Sequence, residues 1–571
     1  MVMFITVVPN RKSNPTILLR ETRRENGKVR NHTLANLTHW APEKIAALSA
    51  ALEAARSGAP AGVQIVGSLP HGDVHAVLGT MRRLGLEQML LSRRCRERDL
   101  VMAMIVARVL DPASKLSTAR SFRSTTLGEA LDVAAAKPDE LYQALDWLLE
   151  RQEAIENKLA KRHLTEGSLL LYDLTTVWFE GRACPLGKFG HSKEGRSDKL
   201  QILVGLLCNR EGVPISAQVF EGNASETGTL AQQIQAVRER FGLTKVVFIA
   251  DRGILRSVRI KDELAPIGLD WITALRKPAI RELIQKGAFQ PSLFEEVDFA
   301  EIEDPAYPGE RLIVCRNPVL ADDRARRREE LIQRTEKDLQ TISNAVHRER
   351  NPLRGEDKIG LKVGAVLANW GTARFFDILI TDKHLGFHRK LDFIKDDTAL
   401  DGFYILRTSL TREAMDTPDA IRAYKDLAKV ETAFKQLKTE DLEIRPIYHH
   451  LEGRVRAHVF LCMLAFYVEW HLRKALAPLL FGEEDPAGAE AQRSSPVAKA
   501  KPSPSTKAKK GLKQTPDGHP VQSYRDLLQT LATLGRHTCQ PDDPKLPAFT
   551  RHTKPTPYQQ RVFDLLQIQA P

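Results

Sequence analysis

Three carboxylates, Asp173, Asp251 and Glu431, fall where two strands and a helix would present them together. Asp173 lies within the apolar run Ser168–Thr175, with Thr175 and Thr176 just beyond it. Asp251 ends the run Lys245–Ala250, and Gly253 then permits a tight turn. Sites in open α/β sheets gather at strand carboxyl ends. Carboxylates from three elements can hold two divalent cations about 3.5–4 Å apart, clamping a phosphodiester and activating water or a 3′-hydroxyl. Mg2+ suits such a site because it takes oxygen ligands and keeps waters and substrate phosphates in its shell, and Mn2+ can substitute. Any one strand-end aspartate reads equally as a turn former or helix cap; the three in strand–strand–helix order favour the metal reading.

Glu431 belongs to the segment Tyr424–Lys438, whose pattern predicts one amphipathic helix. Leu427, Val430, Phe434 and Leu437 make an apolar stripe facing a core. Tyr424, Ala428, Glu431, Lys435 and Lys438 make a neighbouring stripe. Glu431 and Lys435 alone would be an ordinary surface pair at i, i+4. His449, His450 and His458 follow, but no cysteine or further histidine completes a zinc pattern, so they are read as structural or close to DNA. Asp198 is read as orienting a strand start, with a fourth-ligand role as the alternative.

The elements that must position these residues can be read in outline. Residues 1–41 form an N-terminal β-hairpin region, with strands at Met3–Val8 and Pro15–Arg20. Residues 42–165 form a helical, arginine-rich DNA-binding region, its clearest helix running from Asp139 to Leu159. Residues 166–276 begin the catalytic domain: a strand at 168–175, a hairpin of 201–208 and 214–220 around Asn209–Gly212, a crossover helix near 226–241, and strands at 245–250 and 271–275. This is a mixed α/β sheet. Residues 277–398 interrupt it as an insertion domain with a charged helix from Ala321, and residues 399–480 complete it. Residues 481–520, rich in Pro, Ala, Ser and Lys, read as a disordered basic linker, and 521–571 as a short C-terminal tail.

Composition narrows the class. A length of 571 residues exceeds one core, and a net charge of +12 favours a polyanionic partner. The six cysteines are dispersed without a CxxC pair, which points to a reducing cytoplasm and against disulfides or zinc. The longest apolar run, Val459–Val468, is too short to span a bilayer, and the N-terminus lacks the features of a signal peptide.

With Tyr424, Glu431 and Lys438 at these spacings, the segment resembles the Y-(2)-R-(3)-E-(6)-K signature of bacterial insertion-sequence transposases with a DDE active site. Leu427 stands where the family has arginine. Asp173 in Tyr-Asp-Leu-Thr and Asp251 in Ala-Asp-Arg-Gly resemble the family's two aspartates. Lys199–Leu206, the charged helix from Ala321 and Leu400–Thr408 are similar to a long-chain subgroup of the type-four superfamily, over residues 1–476. The resemblance implies an RNase H-like mixed-sheet catalytic domain, split by an insertion before the glutamate helix. It implies metal-dependent cleavage and strand transfer on double-stranded DNA, at terminal inverted repeats and target, by a nucleoid-associated homodimer. Asp173, Asp251 and Glu431 would be catalytic metal ligands. Tyr424 and Lys438 would position phosphate, Lys425, Lys429 or Lys435 could replace the missing arginine, and Tyr404 would stack on a base, against a core role for Tyr404 and Phe403. Arg252 and Arg445 are read as phosphate contacts, with a surface ion pair and a solvated helix end as their alternatives. A nuclease that never joins strands and a defective DNA-binding regulator remain open.

Overall fold

The computed structural model describes residues 2–10, 14–25, 28–57, 63–193, 195–196, 198–439, 441–542 and 546–571. Its strands, in chain order, are β1 (Val2–Val8), β2 (Thr16–Glu25), β3 (Lys28–Asn36), β4 (Val63–Pro70), β5 (Leu169–Trp178), β6 (Gln201–Asn209), β7 (Pro214–Glu221), β8 (Val247–Ala250), β9 (Asp270–Ala274), β10 (Phe299–Ile302), β11 (Arg311–Arg316), β12 (Phe376–Thr381), β13 (His384–Arg389), β14 (Phe403–Thr408), β15 (Gly535–Pro541) and β16 (Phe549–His552).

The centre is an eight-stranded sheet in the order β10-β11-β14-β9-β8-β5-β6-β7. β5, β6 and β7 form an antiparallel meander, closed at Asn209–Gly212 with Gly212 at φ +87°. β8 and β9 continue the sheet parallel to β5. Parallel strands must be covered on both faces, and the apolar alternation of β5 supplies both. Leu170, Tyr172 and Leu174 enter one core with Phe248, Leu264 and Trp271. Leu169, Leu171 and Val177 enter the other, which contains the apolar helix Glu452–Ala475 and the inner face of the Glu431 helix. Asp173 shares the parity of Leu171, so it emerges on the Glu431 side of the sheet.

The insertion is only partly a separate unit. β10 and β11 pair through β14 to β9, lengthening the main sheet. The remainder, with helices Pro318–His347 and Glu356–Trp370 and the β12–β13 hairpin, closes over its own core of Ile332, Leu339, Val346, Ile359, Val363 and Phe376.

Several expectations need correction. The N-terminal region has a third strand, β3, whose polar sequence hid it. The helical region contains β4, and the helix expected at 139–159 divides into Pro138–Glu150 and Gln152–His163. The C-terminal residues are no isolated tail: β15 pairs with β4, and Tyr524, Leu527 and Phe563 join the main core. Residues 481–520 are not a disordered linker. They carry helices Pro486–Ala491 and Pro504–Leu512, capped by the side chains of Asp485 and Ser503. Val497, Thr506 and Lys509 are buried there, and Lys509 Nζ donates to Ala477 O at 2.8 Å and Glu484 Oε2 at 2.9 Å. Pro486, Ser503 and Pro504, part of the composition that suggested disorder, are helix starts.

Candidate active site

The register of the sheet places the two aspartates. The β5–β8 ladder ends at Tyr172↔Ala250, so Asp173 and Asp251 are the next positions on neighbouring parallel strands. Glu431 arrives from above on helix Leu427–Lys438, seated by Val430, Ala433, Phe434 and Leu437, all buried. The helix expected over 424–438 is broken at Asp426, whose carboxylate pairs with Arg210 Nε at 3.1 Å and Lys429 Nζ at 2.7 Å. Tyr424 therefore belongs to the last turn of the preceding helix, Thr417–Lys425.

All three carboxylates line one cleft of about 730 Å³, together with Tyr404, Tyr424, Leu427, Lys435 and Lys438. Burial first, with the nearby charges of Glu431 and Asp251 adding to it and the Leu174 backbone N–H and Lys193 opposing, raises the Asp173 carboxyl to about 6. Lys438 donates to Thr175 Oγ1, two residues along β5 from Asp173 on the same face. Burial, and then Lys193, lower its ammonium to about 8. Burial also pushes the Tyr424 phenol upward, with Asp251 beside it.

The donor set suits an oxygen-seeking divalent cation: three carboxylates and no imidazole or thiolate line the cleft. Their mutual repulsion is what a cation would relieve. Among the described residues, however, no three such side chains close into a ready ligand shell. The cleft is an open acidic cluster rather than a finished cage.

The other candidates separate. Tyr404 reaches the cleft from β14, whereas Phe403 packs against Phe289 and Phe294 in the core. Arg252 is exposed beside Asp251 and outside the cleft lining. Arg445 lies in a different cleft, with Arg108 and Lys115. Asp198 is exposed and does not line the carboxylate cleft, and His458 is buried with Nε2 3.1 Å from Ile444 O. The arginines of the helical region are largely committed to the fold: Arg82, Arg94, Arg96 and Arg98 pair with Glu87, Asp99, Glu140 and Asp99.

Sequence reasoning missed Lys193, which lines the cleft from the β5–β6 loop and donates to Leu174 O at 3.0 Å. It missed Asn317 and Leu320 as well, through which the insertion supplies part of the wall. No local spacing marks either; only the sheet brings them in.

Residues 167–468, more than half of the chain, match the family model described as the transposase DDE domain. The chain belongs to this family. Residues 5–61 also match the N-terminal domain of IS1634 family transposases, a stretch that takes in the second half of β1, β2, β3 and the helix Pro42–Ser57. Together the two matches make the chain an insertion-sequence DDE transposase. No curated protein matches it. The catalytic-domain match spans all three carboxylates and the whole insertion of this transposase. Among its described residues no helix is long and apolar enough to cross a membrane.

Proposed function

We propose that this transposase binds double-stranded DNA at the terminal inverted repeats of its element, cuts to free 3′-hydroxyls, and joins them to target DNA. The observation that carries the reading is the register: Asp173 and Asp251 continue adjacent parallel strands into the cleft that Glu431 lines from its helix. The order β7-β6-β5-β8-β9, an antiparallel meander followed by two parallel strands, supports an RNase H-like catalytic core.

Asp173, Asp251 and Glu431 would hold two divalent cations, Mg2+ or Mn2+. When bound, these supply Lewis-acid activation of the attacking water or 3′-hydroxyl and neutralise charge on the phosphate. The protein's own side chains do the rest. Lys438, held by Thr175, and Lys193 set positive charge along the β5 edge of the cleft, where a nonbridging phosphate oxygen would sit. Lys435, exposed on the Glu431 helix, offers a second phosphate contact. Tyr404 and Tyr424 present aromatic wall suited to an unstacked base or to sugar. Joining two ends in one reaction makes a homodimer on DNA the natural assembly, acting on the nucleoid in the cytoplasm.

The test is a cleavage and strand-transfer assay on the DNA ends flanking the gene, run with uncut and pre-cut substrates in Mg2+ and in Mn2+. Joined product from pre-cut ends supports the transposase reading; hydrolysis without joining would reduce the protein to a nuclease. Near-normal joining by Glu431→Ala would remove Glu431 from the site.

A further inference from the structure

A second cleft, of about 220 Å³, opens beside the segment that leaves the Glu431 helix. Arg108, Lys115, Arg445, His449 and Tyr448 line it. Arg108 is 6% exposed and Lys115 4% exposed. Arg108 spends its guanidinium on backbone carbonyls, Ala113 O at 3.1 Å and Glu443 O at 3.5 Å. Among the described residues Lys115 donates no hydrogen bond, and neither cation has a carboxylate within ion-pair distance. Glu443, on the same lining, is exposed and pairs with neither.

Such an arrangement is expensive. Burial and then the Arg108 charge lower the Lys115 ammonium to about 7. Burial and the same two cations hold His449 and His458 well below their ordinary range, so the imidazoles stay neutral. Buried cations are ordinarily paired, and an uncompensated one is destabilising. A polar cavity that keeps two of them is shaped for an anion from outside.

The surrounding chain says which anion. The wall of this cleft, residues 441–449, continues from the helix that carries Glu431 and Lys438. It is fastened to the C-terminal end of β5, the Asp173 strand: Ile447 N donates to Trp178 O at 3.3 Å, and Glu180 N donates to Ile447 O at 3.2 Å. Tyr448, 64% exposed, stands at the mouth. Cations beside an exposed aromatic are the usual means of holding a nucleic-acid strand. We propose that this cleft takes one backbone phosphate of the DNA strand that enters the carboxylate cleft, with Lys115 and Arg108 as its anchors. The inference rests on the DNA-end reading given above.

The test measures binding of a fluorescent duplex carrying the flanking terminus to the full chain, across a salt series and without divalent metal, so that no cleavage intervenes. Lys115→Met should weaken binding several-fold and flatten the slope of log K against log salt by about one phosphate contact. Its thermal midpoint should hold or rise by roughly a few degrees, because an unpaired buried cation has gone; a merely structural lysine would lower it. Tyr448→Glu, an exposed change that leaves the core alone, should also weaken binding several-fold. Wild-type affinity and slope in both variants would overturn the proposal. So would inorganic phosphate that stabilises the wild type but not Lys115→Met while DNA affinity is unchanged, since the site would then serve a free anion. A wild-type protein that fails to retain the duplex would instead bring down the DNA-end reading itself, and this inference with it.

Discussion

Two clefts flank the C-terminal half of one strand, one lined by its middle residues and one walled by the segment bonded to its last residue, and their chemistry is inverted. Among the described residues, the protein gathers three carboxylates at Asp173 and leaves them short of a closed ligand shell; at Lys115 it buries two cations and leaves them without a counter-charge. Each is electrostatically incomplete in the opposite sense, and on the proposed reading each would be completed by a part of one metal-bound nucleic acid, cation in the first and phosphate in the second. The acidic cleft keeps lysines at its rim, Lys193 and Lys438, where the substrate's own charge must also be met. The basic cleft keeps neutral imidazoles at its back, where water would otherwise compete. Charge left unsatisfied by the fold marks where the substrate is expected.

The sharpest way to break this contrast is at the acidic cleft. Glu431→Gln or Asp173→Asn should lower cleavage by at least ~10²-fold, about 3 kcal/mol of barrier, with end binding intact. Gel-based cleavage beside a binding titration checks it, and a parallel loss of binding would mean a structural role. Chelation should act the same way and reversibly: EDTA abolishes cleavage, added Mg2+ or Mn2+ restores it, and duplex affinity in EDTA holds. Lys438→Met, which removes the contact to Thr175, should cost roughly 10-fold in strand transfer with a smaller effect on affinity.

At the basic cleft the effect is on stability and carries a sign. The folded Lys115 ammonium lies near 7, below its ordinary 10.5, so the neutral form is favoured in the fold. The stability this confers is present above pH 10.5 and is lost as pH falls towards 7. Arg108, Arg445, Glu443, His449, His458 and Cys462 face it, and no titration of the two imidazoles is expected in that window. Melting midpoints of wild type and Lys115→Met should therefore diverge in the variant's favour from pH 10 to pH 7; a constant gap would contradict the assignment. The smallest effect belongs to Leu427, which lines the acidic cleft where the family signature has arginine. Leu427→Arg should tighten end binding by less than about tenfold and steepen its salt dependence slightly.

Much of the catalytic core was legible because its signals are local. β5, β6, β7 and β8 are short apolar runs with a clear turn between two of them, and the Glu431 helix shows its stripe in four residues. The three carboxylates could be nominated because each sits at a readable place on such an element. What failed was whatever depends on distant chain. Lys193 enters the site by way of a loop, and β3 is a strand of polar residues held by pairing to β2. The segment 481–520 folds because Lys509 and Val497 find partners in the body of the protein, which composition does not show. Arg445 carried a readable charge, but its cleft is built from Arg108 and Lys115, hundreds of residues earlier.

The pairing of β4 with β15 bears on how the chain comes to be made. Val63, Ile65 and Val66 are apolar and remain substantially exposed even when the strand is paired. During synthesis β4 leaves the ribosome long before residues 535–541 exist, and at about 5–20 residues per second it waits tens of seconds for its neighbour. An open, apolar strand edge is a site for wrong pairing with another nascent copy. A product ended early, by a stop or frameshift before residue 535, would keep Asp173, Asp251 and Glu431 yet carry that edge permanently, and is expected to aggregate rather than act.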